Sequence, residues 1–559
     1  MPHASRWGLF VPEMSIPSFM FGSADASLDN NEKVFVNARR PSEQYLTLHA
    51  YREWAKRLAA GLKLSGLKDG DRVMLFSGNG IFNPIVVMGS IMAGAIYNSA
   101  NPAYTPREIA HQLKDADPRF VLAADNCIDR AIQAADMIGM DRSRIFLFTD
   151  PPIDHTTRLQ SLKTKQQHWT ELVADPEAGQ AFTWKDPIVS DSTSRTAILI
   201  YSSGTTGLPK GVELTHSGVI ANVLQLKQMQ VPDAGRSERR NLCVVPMYHV
   251  LGLHYYTFTA PKLEIQTFLM ERYNLSDMLD HIQRFKITDL LLVPPILVAM
   301  AKHPSVRDGT CDIGSVRRVV AGAAPIGMEV TKQFEELFKG ALKVRQAWGM
   351  SETPAITLCW DERDRLGTSS ISIGELIPGC EAMLVDEDGQ EIARPGEPGE
   401  FWIRSPNMLK GYWRNLQATK DTITPDGWLK TGDIAYVDET GKWYMIDRKK
   451  ELIKVRGAQV APAELEALLL EHPCIVDAAV IGIRTPTDDE DPRAYVVLTP
   501  NATTTAEDVE QYVNTRVSKI KHLTGGVVFI DAIPKNPSGK ILRRQLRDRA
   551  AKEAALSKL

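Results

Sequence analysis

Cysteine is scarce in this sequence. The six present, Cys127, Cys243, Cys311, Cys359, Cys380 and Cys474, are scattered, with no CxxC and no histidine pair nearby. That excludes the usual zinc spacings and a dense disulfide framework, and it suits a reducing compartment. Long apolar runs are missing too. The longest candidate, residues 289–301, is interrupted by Pro294 and Pro295 and falls short of the roughly 18 residues of a membrane span. The opening MPHASRWGLFVPEMS has no apolar block behind a basic start, so no secretory signal is expected. Nor does charge of one sign accumulate. Lys and Arg sum to 65 against 68 Asp and Glu, a formal charge of -3. This removes the electrostatic footprint of a dedicated nucleic-acid binder and points to a small-molecule partner.

What is present is an ordinary globular composition, 43% hydrophobic, 24% charged and 7% aromatic over 559 residues. That length exceeds one domain of roughly 100 to 200 residues. Thr47 is a good N-cap, and Leu48, Tyr51, Trp54, Leu58 and Leu62 place one apolar stripe on a helix that Gly66 can end. Residues 72–76 and 120–124 read as strands around a buried helix over 84–96, an alternation that predicts parallel sheet. The rhythm returns with strands at 289–293, 316–320 and 344–347 and a helix over 327–338. From about 374 to 443, short strands punctuated by Gly and Pro suit a small β subdomain. Beyond Asp447 come a helix from Pro462, strands at 475–483, 493–498 and 527–530, a helix capped at Thr505 and a basic terminal helix from Ile541. These form a compact α+β unit. The expected class is therefore α/β: two α/β sheet subdomains plus a small β subdomain over 1–446, a link at 447–450, and a C-terminal α+β domain over 451–559.

The most informative segment is TAILIYSSGTTGLPKG at 196–211, an apolar strand running into a loop of Ser, Thr and Gly with one lysine. Gly204, Gly207 and Gly211 permit close backbone approach. Ser202, Ser203, Thr205 and Thr206 offer hydroxyl donors around the charge of Lys210, which together suit a phosphate group better than an idle surface turn. The segment is not a GxxxxGK[ST] loop, because Pro209 precedes the lysine and Gly211 follows it. A P-loop hydrolase is disfavoured accordingly.

This loop resembles the signature SSGTTGxPKG of the adenylate-forming superfamily of acyl- and aryl-CoA ligases, firefly luciferases and nonribosomal adenylation domains. Further motifs follow in the family's order: PMYHVLGL, VPPILVAMAK, AGAAPIG, QAWGMSE, GELIPG, GWLKTGD, DRKKELIKVRGAQVAPAE and PKNPSGK. The nearest likeness is to 4-coumarate-CoA ligase and its relatives, whose fold is a large N-terminal domain with a small mobile C-terminal lid. The resemblance implies an AMP-forming acid–thiol ligase using ATP, CoA and Mg²⁺.

Several residues acquire roles only through that resemblance. Trp348 would stack on adenine with Gln346, Ala347 and Gly349 beside it, Ser351 would bond the α-phosphate, and Glu352 is a hard oxygen ligand for Mg²⁺. The family usually has Tyr and Thr where this chain has Trp348 and Ser351. Asp433 and Arg448, otherwise surface charges, would hold the ribose. Lys540, by default a solvent-facing lysine, would reach from the lid to the carboxylate and α-phosphate. The four charges of 447–450 suit a hinge with Lys450 at its pivot, and Lys454, Arg456, Gly457 and Gln459 would face the site after rotation. His249, more often a structural histidine, would sit beside the acyl group. Tyr248, Val250, Leu251, Ala321, Gly322, Ala323 and Ala347 would complete the acyl pocket. Hydroxycinnamate ligases commonly place Tyr at the position of Leu251 and Gly at that of Ala347, so an apolar medium-chain or aryl acid is expected over 4-coumarate. The final Ser557-Lys558-Leu559 matches the address read by the peroxisomal import receptor. Other readings are an enzyme loading a carrier protein, a luciferase-like oxidase, or a non-catalytic nucleotide-binding module.

Overall fold

The computed structural model describes all residues except 1, 25–27, 29, 152–165, 187–193, 203–208, 231–238, 325, 365–369, 457, 486–488, 501, 537–538 and 557–559. Two seven-stranded sheets form the body. One runs Val344–Gln346, Arg318–Ala321, Asp289–Leu292, Arg240–Cys243, Gln266–Leu269, Lys33–Asn37, Tyr45–Thr47, parallel until its last pair. The other runs Gly411–Tyr412, Lys210–Thr215, Thr196–Ser202, Ile96–Ala100, Arg72–Phe76, Phe120–Ala124, Ile145–Phe148, parallel over its last five strands. Their strands are near-continuous apolar runs because helices cover both faces. The helix Leu48–Leu64 begins at Thr47, whose hydroxyl accepts from the Ala50 amide, and it buries Tyr51, Trp54, Leu58 and Leu62 as the spacing predicts. The expected buried helix over 84–96 is shorter. It spans Asn83–Met92, Gly94 turns at φ +74°, and Ile96 opens the next strand. A side chain at Gly94 would meet Asp69 Oδ1 at 2.7 Å, a contact from a distant loop that the local apolar run does not reveal.

The third sheet joins Glu381–Val385, Gly399–Arg404, Leu429–Val437 and Trp443–Arg448, extended by the two-residue strand His3–Ala4. It is the small β subdomain of the sequence, now reaching Arg448. After it, Ile475–Arg484, Glu490–Leu498 and Val527–Phe529 form a three-stranded sheet. Alternation sends Ala478 and Val480 into a core with Leu465, Leu469 and Val509, and Ala479, Ile481 and Tyr495 into a second core with Leu546 of the terminal helix Arg543–Leu556. The C-terminal unit thus carries its own apolar core.

This unit is seated on the body through a mixed interface, with Leu470 packed against the body's core and polar contacts beside it. Lys302 Nζ donates to the Leu470 and Ile475 carbonyls at 3.3 and 2.7 Å, and Gln459 Nε2 donates to Glu387 Oε1 at 3.0 Å. The charged link is not uniformly solvated. Asp447 is buried, accepts from the amides of Arg448 and Ala463 at 2.7 and 3.0 Å, and has its carboxyl pushed above the usual range by burial.

Candidate active site

Between the sheets and the C-terminal unit lies a cavity of about 750 Å³. One wall is made where the strand Thr196–Ser202 ends. Ser202 pairs with Lys210 across the antiparallel turn, and both line the cavity, with Lys210 Nζ 5.1 Å from the Tyr412 ring centre. Ser203, Gly204, Thr205, Thr206 and Gly207 lie outside the described residues. Gly211 is required by packing, since a Cβ there would come within 2.9 Å of Leu199 Cδ1 and 3.1 Å of Trp413 Cβ.

The opposite wall comes from the carboxyl ends of the first sheet, where open α/β sheets place ligands. Gly322, Ala323, Ala347, Trp348, Gly349, Ser351 and Glu352 line it. Ala323 holds φ +73°, a left-handed conformation costing on the order of 1 kcal/mol in a non-glycine residue, at the turn that leaves the strand. Trp348–Met350 is itself a strand, paired with Thr353–Cys359 so closely that a Cβ on Gly349 would lie 2.0 Å from the Ala355 carbonyl oxygen. Ala321 and Gln346 do not reach this cavity. Ala321 is fully buried within the sheet, and the Gln346 amide donates to the Ile326 carbonyl at 3.1 Å and accepts from its N–H at 3.3 Å, bracing the loop rather than facing the space.

Asp433 and Arg448, far apart in sequence terms from Trp348, are cross-strand partners in the third sheet. The Trp348 indole N–H donates to Asp433 Oδ2 at 2.8 Å. Asp433 Oδ1 accepts no hydrogen bond from the described residues, although Arg448 Nε lies 3.3 Å away without good alignment. Asp433 itself does not line the cavity, but Thr431, Gly432 and Arg448 do, so its Oδ1 is a buried, unpaired acceptor just behind that wall. Glu352, also buried, accepts from the Tyr412 hydroxyl at 2.9 Å. No cluster of three metal-ligating side chains occurs among the described residues. One carboxylate beside Lys210 nevertheless fits a Mg²⁺ that takes its remaining ligands from phosphates and water.

Tyr248, His249, Val250 and Leu251 form the third wall. His249 N-caps the short helix Val250–His254, and Gly252 lets that helix close on the Pro246 carbonyl, 2.2 Å from where a Cβ would sit. Burial and the nearby Lys540 push the His249 ring down to about 4, so it is neutral near pH 7. Lys540 enters from the C-terminal unit on a turn closed by its N–H to Asn536 Oδ1 at 2.8 Å, and Gly539, at φ +84°, packs on Val293 and Pro295. Burial, then Arg448 and Lys450, pull Lys540 down to about 8. Lys450 is likewise lowered, by burial first and then by Arg448. Asp433 and Glu451 partly balance these cations, and the positive excess that remains, out of water, suits an anion.

Three residues expected to face the site only after rotation lie outside the cavity in this conformation. Lys454 and Gln459 are exposed and Arg456 holds φ +49° with its N–H on Asp489 at 2.7 Å, and none lines the cavity. Gly457 is outside the described residues. Conversely, Tyr412, Leu291, Val320 and Ile356 line the cavity without having been singled out. The two-residue alternation of the strands carrying Leu291 and Val320 was the available signal.

The arrangement is a nucleotide-sized cleft with an unpaired carboxylate oxygen behind one wall, a cation cluster and a lysine delivered by a second domain. A family model described as AMP-binding enzyme matches residues 25–413, and one described as AMP-binding enzyme C-terminal domain matches 464–540. The chain belongs to this family of adenylate-forming enzymes, as an AMP-forming acyl- or aryl-CoA ligase. A phenylacetyl-CoA ligase of Aspergillus niger is 36% identical over 549 residues, 96% of this chain and 97% of its own length. Peroxisomal OPC-8:0-CoA ligase 1 of Arabidopsis thaliana is 34% identical over 538 residues, covering 96% and 93%. In fold, ATP-bound MatB from Rhodopseudomonas palustris aligns with a TM-score of 0.81 at 24% identity, covering 96% of this chain and 98% of its own.

Proposed function

We propose that this ligase activates an apolar carboxylic acid of medium-chain or aryl type. The observation that carries the reading is the meeting of Lys540, neutral His249 and the apolar Leu251, Leu291, Val320 and Ile356 in one cavity with the nucleotide-facing wall. A carboxylate is a poor acylating agent, so it needs a better leaving group before a thiol can displace it. One carboxylate oxygen attacks the α-phosphorus of ATP, the bond to the bridging oxygen of pyrophosphate breaks, and an acyl-adenylate forms. Lys540 offsets charge building on the carboxylate and α-phosphate, while Ser202 and Lys210 hold the departing pyrophosphate. Asp433 accepts from the ribose, and Trp348 stacks on the base. Bound through Glu352, Mg²⁺ would neutralise phosphate charge.

The thiolate of CoA then attacks the acyl carbon and AMP leaves with the electron pair. In the conformation described above Lys540 occupies the cleft. We infer that 447–450 is a hinge between domains 1–446 and 451–559, with Lys450 as pivot, and that rotation withdraws Lys540 and presents the Lys454–Gln459 hairpin. The exposure of Lys454 and Gln459 and the polar contacts beside the link, such as Gln459 to Glu387, support this. Acid-dependent pyrophosphate release, measured with and without CoA over hexanoate, octanoate, phenylacetate and 4-coumarate, tests the assignment. Turnover of 4-coumarate well above the other three rejects the substrate class. Peroxisomal import through Ser557-Lys558-Leu559 is supported by the peroxisomal relative. Unchanged punctate import of a fusion lacking Leu559 would contradict it.

A further inference from the structure

The helix Pro462–Glu471 of the C-terminal unit has no side-chain cap of its own. Its N-cap residue is Ala461, whose methyl cannot accept, and Pro462 opens its first turn. Amides left without partners at a helix start favour an anion there. One is supplied from the body. Asp447 stands 16 residues earlier, on the last strand of the third sheet, Trp443–Arg448, and its Oδ2 accepts from the Ala463 amide at 3.0 Å. Its Oδ1 takes the Arg448 amide at 2.7 Å.

From that helix the contacts lead on to Lys540. Glu466, on the same helix, accepts from Arg543 Nη2 at 2.7 Å on both oxygens, with each side chain at 11% exposure, and from the Val480 amide at 2.8 Å. Arg543 opens the terminal helix just after Lys540. It is also the cation that attracts Asp447, against repulsion from Glu451. A polar path therefore runs from the body, through the helix start and the Glu466–Arg543 pair, to the turn that carries Lys540. Its members fall on both sides of the link. Asp447 precedes Lys450, whereas Ala463, Glu466 and Arg543 follow it. The link itself is one turn, closed by the amides of Glu451 and Leu452 on the Arg448 carbonyl at 2.9 and 3.2 Å. Rotation about Lys450 keeps Arg543 with Glu466, because they move together. It parts Asp447 from Ala463 and leaves both to water. A contact made in one pose and lost in the other shifts the equilibrium between them.

Resting on the ligase and hinge reading above, we propose that Asp447 is a positioning residue for adenylation: it latches the helix Pro462–Glu471 across the link and so holds Lys540 in the cleft. Asp447 touches no reactant. It acts by favouring the pose in which the first half-reaction occurs, at the expense of the pose for the second.

The test compares two rates in the full chain, with whichever of hexanoate, octanoate, phenylacetate and 4-coumarate it turns over fastest: pyrophosphate release from ATP, and thiolysis of the supplied acyl-adenylate by CoA. Losing one contact changes the ratio of the two poses by the same factor whatever their starting populations. Asp447→Ala should therefore lower the ratio of the first rate to the second about tenfold. A residue that only stabilises the fold would leave that ratio unmoved. The double variant Asp447→Ala, Ala461→Ser separates the two roles, because Ala461 already holds an extended backbone and a hydroxyl there recaps the helix from within the C-terminal unit. Its Tm should recover while the ratio stays low. An unchanged ratio in Asp447→Ala overturns the proposal, as does a ratio restored together with Tm in the double variant. If Asp447→Ala does not fold, the double variant is measured in its place. Failure of both to fold marks Asp447 as a folding residue and overturns the proposal. Lys450→Pro checks the hinge separately. Thiolysis as fast as in the parent overturns the hinge and the latch together, whereas slowed thiolysis there beside an unchanged ratio in Asp447→Ala overturns the latch alone. No pyrophosphate release by the parent with any of the four acids overturns the ligase reading and this proposal with it.

Discussion

Trp348→Phe isolates the contact that couples two sheets across the nucleotide wall. The ring survives, so stacking on a base and the edge contact with Phe401 at 5.0 Å are largely kept, but the N–H that reaches Asp433 Oδ2 at 2.8 Å is lost. Asp433 is 4% exposed, so water cannot readily replace that donor. A hydrogen bond to a charged group contributes about 1.5 to 3 kcal/mol. Without it the carboxylate is free to turn both oxygens toward Arg448, whose Nε already lies 3.3 Å from Oδ1, and the unpaired acceptor proposed for the ribose is lost. At about 1.4 kcal/mol per factor of ten, ATP affinity should fall roughly 10- to 100-fold. The assay is acid-dependent pyrophosphate release against ATP concentration. KM for ATP should rise with kcat reduced much less, because a ribose contact of the kind proposed would act equally in ground and transition states. A variant whose KM for ATP stays within twofold of the parent refutes the account of Asp433.

The remaining predictions follow from cations and close packing. Lys540, held near 8, is charged below that pH and neutral above it, so pyrophosphate release should decline as pH rises through about 8. Thiolysis of a supplied acyl-adenylate should lack that limb, and Lys540→Ala should lose the first step while keeping the second. An identical limb in both steps refutes the assignment. Lys302→Met leaves two carbonyls of the C-terminal unit without their donor and should slow adenylation about 3- to 10-fold relative to thiolysis, from a loss of about 1 kcal/mol in seating. Equal effects on both steps would show that Lys302 is only a stabilising residue. Gly349→Ala drives a methyl to within 2.0 Å of the Ala355 oxygen and should lower Tm by about 1 to 3 °C, from a destabilisation of about 1 to 3 kcal/mol. Unaltered thermal unfolding would show that the hairpin yields freely.

Much of the scaffold was legible because local pattern and burial agree. The strands Arg72–Phe76 and Phe120–Ala124 match their predicted limits, and the helices after Thr47 and Thr505 start at caps visible in the residue types. Apolar runs that must be buried leave little freedom in where a strand begins. The helix expected to reach residue 96 failed at Gly94, where Asp69 from another loop sets the turn. The two-residue strand His3–Ala4 was invisible, since two residues carry no period and their partner lies beyond residue 380.

Of the site, the residue pattern alone pointed to the phosphate-suited loop before Lys210, whereas Glu352, the histidine after PMY and the lysine of PKNPSGK were singled out only by the family resemblance. These are chemical identities, and identity is local. Tertiary structure decided what they experience. Only folding brings Lys540 beside Arg448 and Lys450, ties Trp348 to Asp433 across 85 positions, and turns Ala321 and Gln346 away from the space their neighbours line. Electrostatic energy and burial are sums over everything nearby in space, and a chain's neighbours in space are not its neighbours in order.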